Sequence, residues 1–373
     1  MKKLVVLLCA LLALGSSAQA LEVSAPSALL MEKETGTVLF AKEEHAKLEP
    51  ASVTKVMTLL LTMEAIDAGQ LHYDDVVTAS AHACSMGGSQ IWLKENEQMT
   101  VSDMLKAVCV VSANDCAVAL AETVAGSEEA FVERMNQRAA ELGMADTHFC
   151  NATGLPAEGH VTSAYDIALM SRELIRNHPD IRQYTTIWMD TLRGGQTQLL
   201  NTNKLLKRYQ GITGLKTGTT SGAGVCISAS ASRDGLDLLA VVLGAASSAE
   251  RFDAATALLD YGFANFENVT APAPENAPAS LPVTGGAEET VGLEYAAPQK
   301  LLVQKGEGGA LNAELELPQT LAAPLAAGQQ VGTVTVRSGE TVLGSWPVTA
   351  AGEVQPMTVR LGFERLLAAL TAH

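Results

Sequence analysis

The sequence predicts an α/β chain of the α+β type, in which a central antiparallel sheet flanked by helices is followed by a small all-β sandwich domain. Three observations predict this arrangement. Strand-like runs occur near both ends of the first 268 residues, with helical apolar spacing between them. A segment rich in Pro and Ala then changes the composition. The runs after it are short, β-rich and broken by Gly and Pro, and a length of 373 residues suits two domains.

The first 20 residues have the pattern of a secretory signal peptide. Lys2 and Lys3 precede an apolar stretch at 4–14, and Ala18-Gln19-Ala20 is a small-x-small cleavage site. We expect the mature chain to begin at Leu21 and to be exported, either to a periplasm or to the outer face of the cell membrane. Past residue 20, no apolar run approaches the roughly 20 residues that a membrane span requires.

The segment 21–268 is predicted to form the first domain. Its predicted strands are 28–31, 38–40, 225–231 and 236–243, and the last two are predicted to form a three-strand antiparallel meander with the segment around 216–218. Its predicted helical segments are 52–68, 100–176 and 250–262. Gly36 marks a turn between the first two strands, and Arg233-Asp234-Gly235 marks a turn between the last two. Strands from both ends of this segment can therefore pair in one sheet with helices around it.

Residues 269–298 are predicted to be a Pro/Ala-rich linker and the start of a second domain. Pro and Ala dominate 271–278, and Asp is absent from there to the C-terminus. Residues 299–360 contain the remaining β-rich runs, which are 301–303, 330–336 and 341–343. These short runs predict a small β-sandwich.

Residues 361–373 are predicted to be a short amphipathic C-terminal segment. The apolar residues that share one helical face are Val359, Phe363, Leu366, Leu367 and Leu370. Arg360 and Arg365 lie near this face. Two interpretations stay open, which are peripheral contact with a membrane and packing against the β-domain.

Three short motifs carry the candidate chemistry of the chain. They are Ser52-Val53-Thr54-Lys55, Ser112-Ala113-Asn114 and Lys216-Thr217-Gly218. A serine three residues before a lysine lies on the same helix face, so the Lys55 amine can reach the Ser52 hydroxyl and remove its proton. The N-terminus of the predicted helix also favours an oxyanion that develops beside Ser52. This pattern is typical of a serine acyl-transfer site.

Each motif alone is weak, but the three follow in this order at separations of about 60 and about 100 residues, behind an export signal. The chain thereby resembles the low-molecular-mass penicillin-binding proteins, specifically the D-alanyl-D-alanine carboxypeptidases of the DD-peptidase/β-lactamase superfamily. The resemblance extends around the motifs, through 49–58, 111–122 and 211–220. It runs from about residue 22 to about residue 268, and the tail to about 365 resembles the smaller second domain of that family.

The resemblance implies a β-lactamase/transpeptidase-like first domain and a serine-type carboxypeptidase activity. The enzyme would remove the terminal D-alanine from peptidoglycan stem pentapeptides through an acyl-enzyme on Ser52, which trims precursors and limits cross-linking in the cell wall. The implied partners are stem peptides that end in D-Ala-D-Ala, with β-lactam antibiotics as covalent inhibitors. No cofactor is implied.

The catalytic roles implied by the resemblance fall on three residues. Ser52 is the nucleophile, and Lys55 is the general base because a cationic neighbourhood can lower its pKa. Ser112 is the proton shuttle between Lys55 and the leaving amine. The oxyanion hole of the family carries over to the backbone amides of Ser52 and Thr219.

The same resemblance implies the substrate-binding residues. Asn114 orients the substrate backbone and Lys55, while Gly218 leaves the strand edge open for an extended peptide. Lys216 supplies positive charge near the substrate carboxylate, and Thr217 offers that carboxylate a hydroxyl. Arg251 resembles the family arginine that meets the terminal carboxylate through its forked donors, and the alternative is an arginine on the surface of a helix.

Three alternative functions share some of these features. A class A β-lactamase would add a loop glutamate that acts through water, usually as Glu-x-x-x-Asn, and we interpret 150–185 as lacking one. A D,D-endopeptidase of the same fold stays open, because the motifs separate cross-link cleavage from D-alanine release poorly. A non-enzymatic wall-binding module would not need Lys55, Ser112 and Lys216 intact together.

Glu158 and His160 follow Thr153-Gly154-Leu155 and are expected to be solvated loop residues.

Charge and cysteine usage exclude other classes. The formal net charge of −16 argues against nucleic acid or an anionic bilayer as a bulk electrostatic partner. The seven histidines are scattered, so no metal site is predicted. Five cysteines remain after signal cleavage, and Cys109 and Cys116, seven residues apart, would lie about 10 Å apart in one helix, beyond disulfide reach. We interpret these two as small buried residues.

Overall fold

A computed structural model describes residues 21–297 and 299–371 of the chain. The predicted signal peptide, 1–20, lies outside the described residues. The first domain contains strands β1 Ser27–Glu32, β2 Val38–Lys42, β3 Val76–Thr78, β4 Gln98–Thr100, β5 Met189–Leu192, β6 Thr197–Leu200, β7 Ile212–Thr220, β8 Gly224–Arg233 and β9 Leu236–Ala245. Its helices are α1 Lys55–Asp67, α2 Ala81–Cys84, α3 Val101–Val111, α4 Asn114–Ala125, α5 Glu128–Glu141, α6 Ala164–Asn177, α7 Arg182–Thr185, α8 Leu205–Arg208 and α9 Ser248–Asn265.

The central sheet of the first domain has five antiparallel strands in the order β2-β1-β9-β8-β7. The first hairpin of the chain and the last three strands of the domain therefore join in one sheet, which confirms the predicted central antiparallel sheet. Strand β7, which contains the third motif, lies at the edge of this sheet and pairs with β8. β3 and β4 form a separate small hairpin, as do β5 and β6.

Both faces of the central sheet are covered. Leu29 and Met31 pack into a core with α1, α3, α4 and α6, whereas Ala28 and Leu30 face a second core against α9. Successive residues of a strand point to opposite faces, so a strand buried on both faces reads as a continuous apolar run. This burial explains why β1 has no alternating pattern in the sequence.

The second domain is β-rich, as predicted. Its elements are β10 Phe266–Thr270, β11 Ser280–Thr284, β12 Thr290–Tyr295, β13 Lys300–Gln304, β14 Leu311–Glu316, β15 Leu321–Ala322, β16 Gln330–Ser338 and β17 Thr341–Ala350, followed by α10 Val359–Thr371. β10 pairs with β13, and the others form a six-stranded sheet in the order β14-β16-β17-β12-β11-β15. The predicted linker region 269–298 contains the strands β11 and β12. Its Pro and Ala residues are concentrated in the short stretch before β11, so the linker composition does not extend over the whole region.

The described part of the chain contains five free cysteines, of which Cys109, Cys116 and Cys226 are buried. The interpretation of Cys109 and Cys116 as small buried residues is confirmed. Among the described residues, no helix has the length and apolar character needed to cross a membrane.

Candidate active site

Ser52 and Lys55 lie where the chain enters the core of the first domain. Ser52 is part of a short 3-10 turn, Ala51–Thr54, and Lys55 is the first residue of α1. Lys55 Nζ donates a hydrogen bond to Ser52 Oγ at 3.0 Å. The predicted proximity of amine and hydroxyl is therefore present, at a distance that permits direct proton transfer.

The Lys55 amine is enclosed by protein atoms. Its side chain is fully buried and also donates to Asn114 Oδ1 at 2.5 Å and to the Thr153 carbonyl at 2.6 Å. Burial lowers the pKa of Lys55 well below its usual value, the charge of Lys216 lowers it further, and the carboxylate of Asp115 opposes both. A neutral amine in this position can accept the proton of the Ser52 hydroxyl.

The second motif lies between two helices. Ser112 ends α3 in the left-handed conformation, with φ of 65°, and α4 begins at Asn114. Asn114 Nδ2 donates to the Gly87 carbonyl at 2.6 Å, which turns Oδ1 of the same amide towards Lys55. Ser112 is buried, and its Oγ has no hydrogen-bond partner within the described part of the chain. This hydroxyl is free to bond to a ligand.

The third motif places a buried cation on the edge strand β7. Lys216 is 1% exposed and donates from Nζ to the Thr217 carbonyl at 2.8 Å. Burial lowers the pKa of Lys216 to about 7, and the nearby charge of Arg251 acts in the same direction, while Cys109 opposes it. Thr217 Oγ1 donates to Thr202 Oγ1 at 2.7 Å.

Gly218 allows β7 to approach the nucleophile turn. A Cβ atom at this position would lie 2.9 Å from the Ser52 backbone nitrogen and 3.0 Å from the Pro50 carbonyl oxygen. Any side chain here would push the strand away from the Ser52 amide. Thr219, the next residue, is exposed and donates from Oγ1 to the Gly218 carbonyl at 2.7 Å.

Arg251 packs against strand β7, which carries the third motif. Its side chain is 5% exposed, so the alternative of a surface arginine is wrong. Nη1 donates to the carbonyls of Gly218 and Cys226, both at 3.2 Å, and Nη2 donates to Ser248 Oγ at 3.1 Å. Burial lowers the pKa of Arg251 to about 10. Nε has no partner among the described residues, and contact with a substrate carboxylate stays a prediction.

The loop before α6 supplies an acceptor that the sequence reasoning missed. Asn151 Oδ1 accepts hydrogen bonds from the backbone of Thr153 and Gly154 and from Thr153 Oγ1, which holds the Thr153 carbonyl towards Lys55. Gly154 has φ of +80°, and a Cβ atom there would lie 1.8 Å from the Ala51 carbonyl oxygen. The Asn-x-x-Gly turn pattern was the available signal.

His160 corrects one expectation. It was expected to be a solvated loop residue, but it is 3% exposed, whereas Glu158 is exposed as expected. His160 Nδ1 accepts from the Cys150 amide at 3.1 Å, so the proton is on Nε2, which donates to Thr54 Oγ1 at 2.9 Å. Burial lowers the pKa of His160 to about 4. The ring joins this loop to the nucleophile turn.

Asp115 is a second residue that the sequence reasoning missed. It is fully buried, and its carboxylate accepts hydrogen bonds from the amides of Ile91, Leu93 and Cys116. The backbone N–H of Asn114 donates to the Ser89 carbonyl at 2.7 Å. These bonds hold the loop 87–93 against the start of α4.

The interpretation that 150–185 lacks a Glu-x-x-x-Asn pattern is wrong, since Glu173 and Asn177 have this spacing. Both residues lie in helix α6 and not on a loop. Arg138 donates to Glu173 Oε1 at 2.6 Å and to Glu64 Oε1 at 2.8 Å, so the Glu173 carboxylate is engaged in an ion pair. Although Glu64, Glu173 and His178 lie close enough to share a metal, Arg138 already supplies a cation to both carboxylates.

Comparison with known proteins defines the class. Residues 15–247 match the family model described as D-alanyl-D-alanine carboxypeptidase, and residues 266–356 match the C-terminal domain of penicillin-binding protein 5. The chain belongs to the D-alanyl-D-alanine carboxypeptidase family, whose members are penicillin-binding serine hydrolases that work through an acyl-enzyme.

Two of the similar proteins cover about nine tenths of the chain, and a third covers about two thirds of it. The D-alanyl-D-alanine carboxypeptidase DacF of Bacillus subtilis is 40% identical over 345 residues, which are 91% of this chain and 88% of that protein. The crystal structure of penicillin-binding protein 5 from Haemophilus influenzae superposes with a TM-score of 0.80 at 30% identity, and covers 90% of this chain and 98% of the other. Penicillin-binding protein D2 of Listeria monocytogenes, solved in the ampicillin-bound form, covers 65% of this chain and 99% of that chain at 32% identity with a TM-score of 0.60.

Proposed function

We propose that this chain removes the terminal D-alanine from peptidoglycan stem peptides, with Ser52 as the nucleophile and Lys55 as its general base. The observation that carries the proposal is the fully buried Lys55 amine, which lies 3.0 Å from Ser52 Oγ. A serine nucleophile with a lysine general base needs that amine deprotonated at neutral pH, and burial beside the charge of Lys216 lowers the pKa of Lys55 in that direction.

In the acylation step, Ser52 Oγ attacks the carbonyl of the penultimate D-alanine as its proton moves to Lys55 Nζ. The oxyanion accepts hydrogen bonds from the backbone amides of Ser52 and Thr219. The proton then passes through Ser112 to the nitrogen of the departing D-alanine, because the Ser112 hydroxyl is buried without a partner among the described residues. Water cleaves the acyl-enzyme and regenerates the Ser52 hydroxyl.

The peptide binds along β7 in this proposal. An edge strand offers unpaired backbone groups to an extended peptide, and Gly218 keeps that edge clear beside Ser52. Lys216 and the Thr217 hydroxyl receive the terminal carboxylate. Arg251 adds positive charge on the side of the Gly218 carbonyl, and its Nε, which has no partner within the described part of the chain, is a further donor there.

The same site is proposed to bind β-lactam antibiotics covalently. Such a compound presents a reactive carbonyl to Ser52 and a carboxylate to Lys216, as a D-Ala-D-Ala terminus does. The ampicillin-bound form of the Listeria monocytogenes protein supports this proposal by similarity.

The test is the intact mass of the purified protein before and after exposure to benzylpenicillin, with Ser52→Ala in parallel, followed by D-alanine release from a peptide that ends in D-Ala-D-Ala. We expect an adduct that is lost in Ser52→Ala, together with D-alanine release by the unmodified protein. A fast-vanishing adduct without D-alanine release would indicate a β-lactamase. Conversion of cross-linked dimers to monomeric peptides without release of D-alanine would indicate an endopeptidase.

We also propose an extracytoplasmic location with peripheral membrane contact through α10. Val359, Phe363 and Leu370 on this helix are exposed by 93%, 60% and 69%. An exposed apolar face of this kind suits the boundary of a bilayer. Arg365 donates to the Ala287 carbonyl, so the helix also touches the β-domain. If a chain truncated after Pro356 fractionates with membranes as the full chain does, the anchoring proposal is wrong.

A further inference from the structure

Trp92 is an exposed aromatic residue that the proposed reaction does not use. Its side chain is 72% exposed, whereas its neighbours Ile91 and Leu93 are buried, at 2% and 5%. Trp92 also has φ of 56°, in the left-handed region that bulky residues rarely adopt. The local conformation therefore turns the indole outward although both flanking side chains enter the core.

This conformation is held by buried polar contacts. The Asp115 carboxylate accepts from the amides on either side of Trp92, those of Ile91 and Leu93. Arg193 donates to the Ile91 carbonyl at 3.0 Å and also pairs with Glu97 at 2.6 Å. A strained backbone conformation persists where several contacts over-determine it, and such conformations cluster at functional sites.

A cleft of about 790 Å³ lies beside the indole. One wall is the segment that carries Trp92, and the other is the tip of the β5–β6 hairpin. The exposed polar side chains that line it are Lys94, Glu95, Asn96, Gln196 and Gln198. Their amide, ammonium and carboxylate groups offer donors and acceptors, while Trp92 offers a flat apolar face. A pyranose ring has this combination of surfaces, because apolar C–H groups lie on its face and hydroxyl or acetamide groups on its rim.

We propose that the Trp92 cleft binds the glycan strand of the peptidoglycan, with one N-acetylated sugar ring stacked on the indole and the polar side chains bonded to its rim. This inference rests on the proposed function, since the glycan is the strand that carries the stem peptide. It extends that function, because the enzyme would recognise the sugar as well as the peptide terminus.

Contacts along the chain join the Trp92 segment to the active site. Asn114 contacts both Lys55, through its side chain, and Ser89, through its backbone amide. Ser89 lies three residues before Trp92, so the two residues are at most about 11 Å apart. The segment that carries Trp92 therefore borders the second motif of the active site.

The test compares the kcat/KM for D-alanine release from two substrates, the free pentapeptide and the same peptide attached to its disaccharide. In Trp92→Ala we expect the ratio of the glycan-linked to the free substrate to fall about tenfold, as for the loss of one stacked ring. Trp92→Phe should restore most of this ratio. Val76→Ala, which truncates another exposed apolar side chain at 59% exposure outside the cleft, should leave it unchanged.

A direct binding measurement uses glycan strands freed of peptide as the probe and indole fluorescence as the signal. Saturable quenching in the full chain that disappears in Trp92→Ala supports the inference. If the enzyme cleaves both substrates and Trp92→Ala leaves their ratio unchanged, the inference is overturned while the proposed function stands. If the enzyme releases D-alanine from neither substrate, the proposed function fails first and the inference falls with it.

Discussion

Lys55 Nζ lies 2.5 Å from Asn114 Oδ1, and the other end of the same amide donates to the Gly87 carbonyl. The Gly87 contact decides which way the amide faces, because only its oxygen can accept from the amine. Asn114 thus holds the amine beside Ser52 without bringing a charge. A neutral partner matters here, since a carboxylate in its place would favour the ammonium form that cannot accept a proton.

Asn114→Asp tests this relationship. The added negative charge should raise the pKa of Lys55, so that less of the amine is neutral at pH 7. We expect acylation by benzylpenicillin to slow by about 100-fold at neutral pH, the scale of a lost general base, and to recover partly as the pH rises. The measurement is the acylation rate against pH by mass spectrometry. An unchanged pH profile would contradict the proposed role of Lys55.

Lys216 predicts a pH dependence of substrate binding. Its pKa is lowered to about 7 by burial, so its charge is present below that pH and lost above it. We expect the KM for a D-Ala-D-Ala peptide to rise as the pH increases through about 7, because the carboxylate loses its cation. Lys216→Arg keeps the charge and should move this rise to higher pH. A KM that is flat from pH 6 to 9 in the unmodified enzyme would argue against the carboxylate contact.

His160 predicts a pH dependence of stability. Its pKa is about 4 in the folded chain and 6.5 in the unfolded chain, so only the unfolded state takes up a proton between these values. The free energy of unfolding should therefore fall as the pH drops from about 6.5 to about 4, by about 3 kcal/mol at most. Urea titrations at several pH values measure this slope. His160→Asn should flatten it, whereas His72→Asn, which changes an exposed histidine, should not.

Gly154 and Gly69 share a positive φ but differ in the space that is available to a side chain. Both have positive φ, but a Cβ atom at Gly154 would meet the Ala51 carbonyl oxygen at 1.8 Å, while nothing lies within 4 Å of one at Gly69. Gly69→Ala should cost about 1 kcal/mol of unfolding free energy, which is the conformational term alone. Gly154→Ala should cost more and also slow acylation, because it displaces the Thr153 carbonyl from Lys55. Thermal melts and adduct formation measure the two effects, and equal losses in both variants would refute the steric argument.

The central sheet could be predicted because its strands have clear sequence patterns. β9 is a long, mostly apolar run, and β8, in which Ser alternates with apolar residues, is separated from it by a tight turn. β1 is a mostly apolar run close to the N-terminus. The second domain was predicted more coarsely, because its strands are half exposed and its small cores leave only a weak pattern. Strands β11 and β12 were not recognised individually for that reason.

The residues around the motifs were harder to foresee. The Thr153 carbonyl reaches Lys55 through its backbone, and a backbone atom leaves no signature in residue type. His160 and Asp115 are polar residues that the fold buries, and sequence patterns treat such residues as solvated. Arg251 was recognised by resemblance, but its burial against the carbonyls of Gly218 and Cys226 could not be read from a helix pattern.

The sequence by itself determined the class of the protein and the identity of its reactive groups, because Ser52 and Lys55 are three residues apart and one helical turn is enough to bring them together. Only the tertiary structure decided the state of those groups. Lys55 and Lys216 come from segments about 160 residues apart. The pKa of Lys55 is lowered by burial and by the charge of Lys216, and that of Lys216 by burial and by the charge of Arg251, all of which exist only after the sheet and the helices have packed. Desolvation and long-range charge depend on distance in space, and no local spacing of residues encodes them.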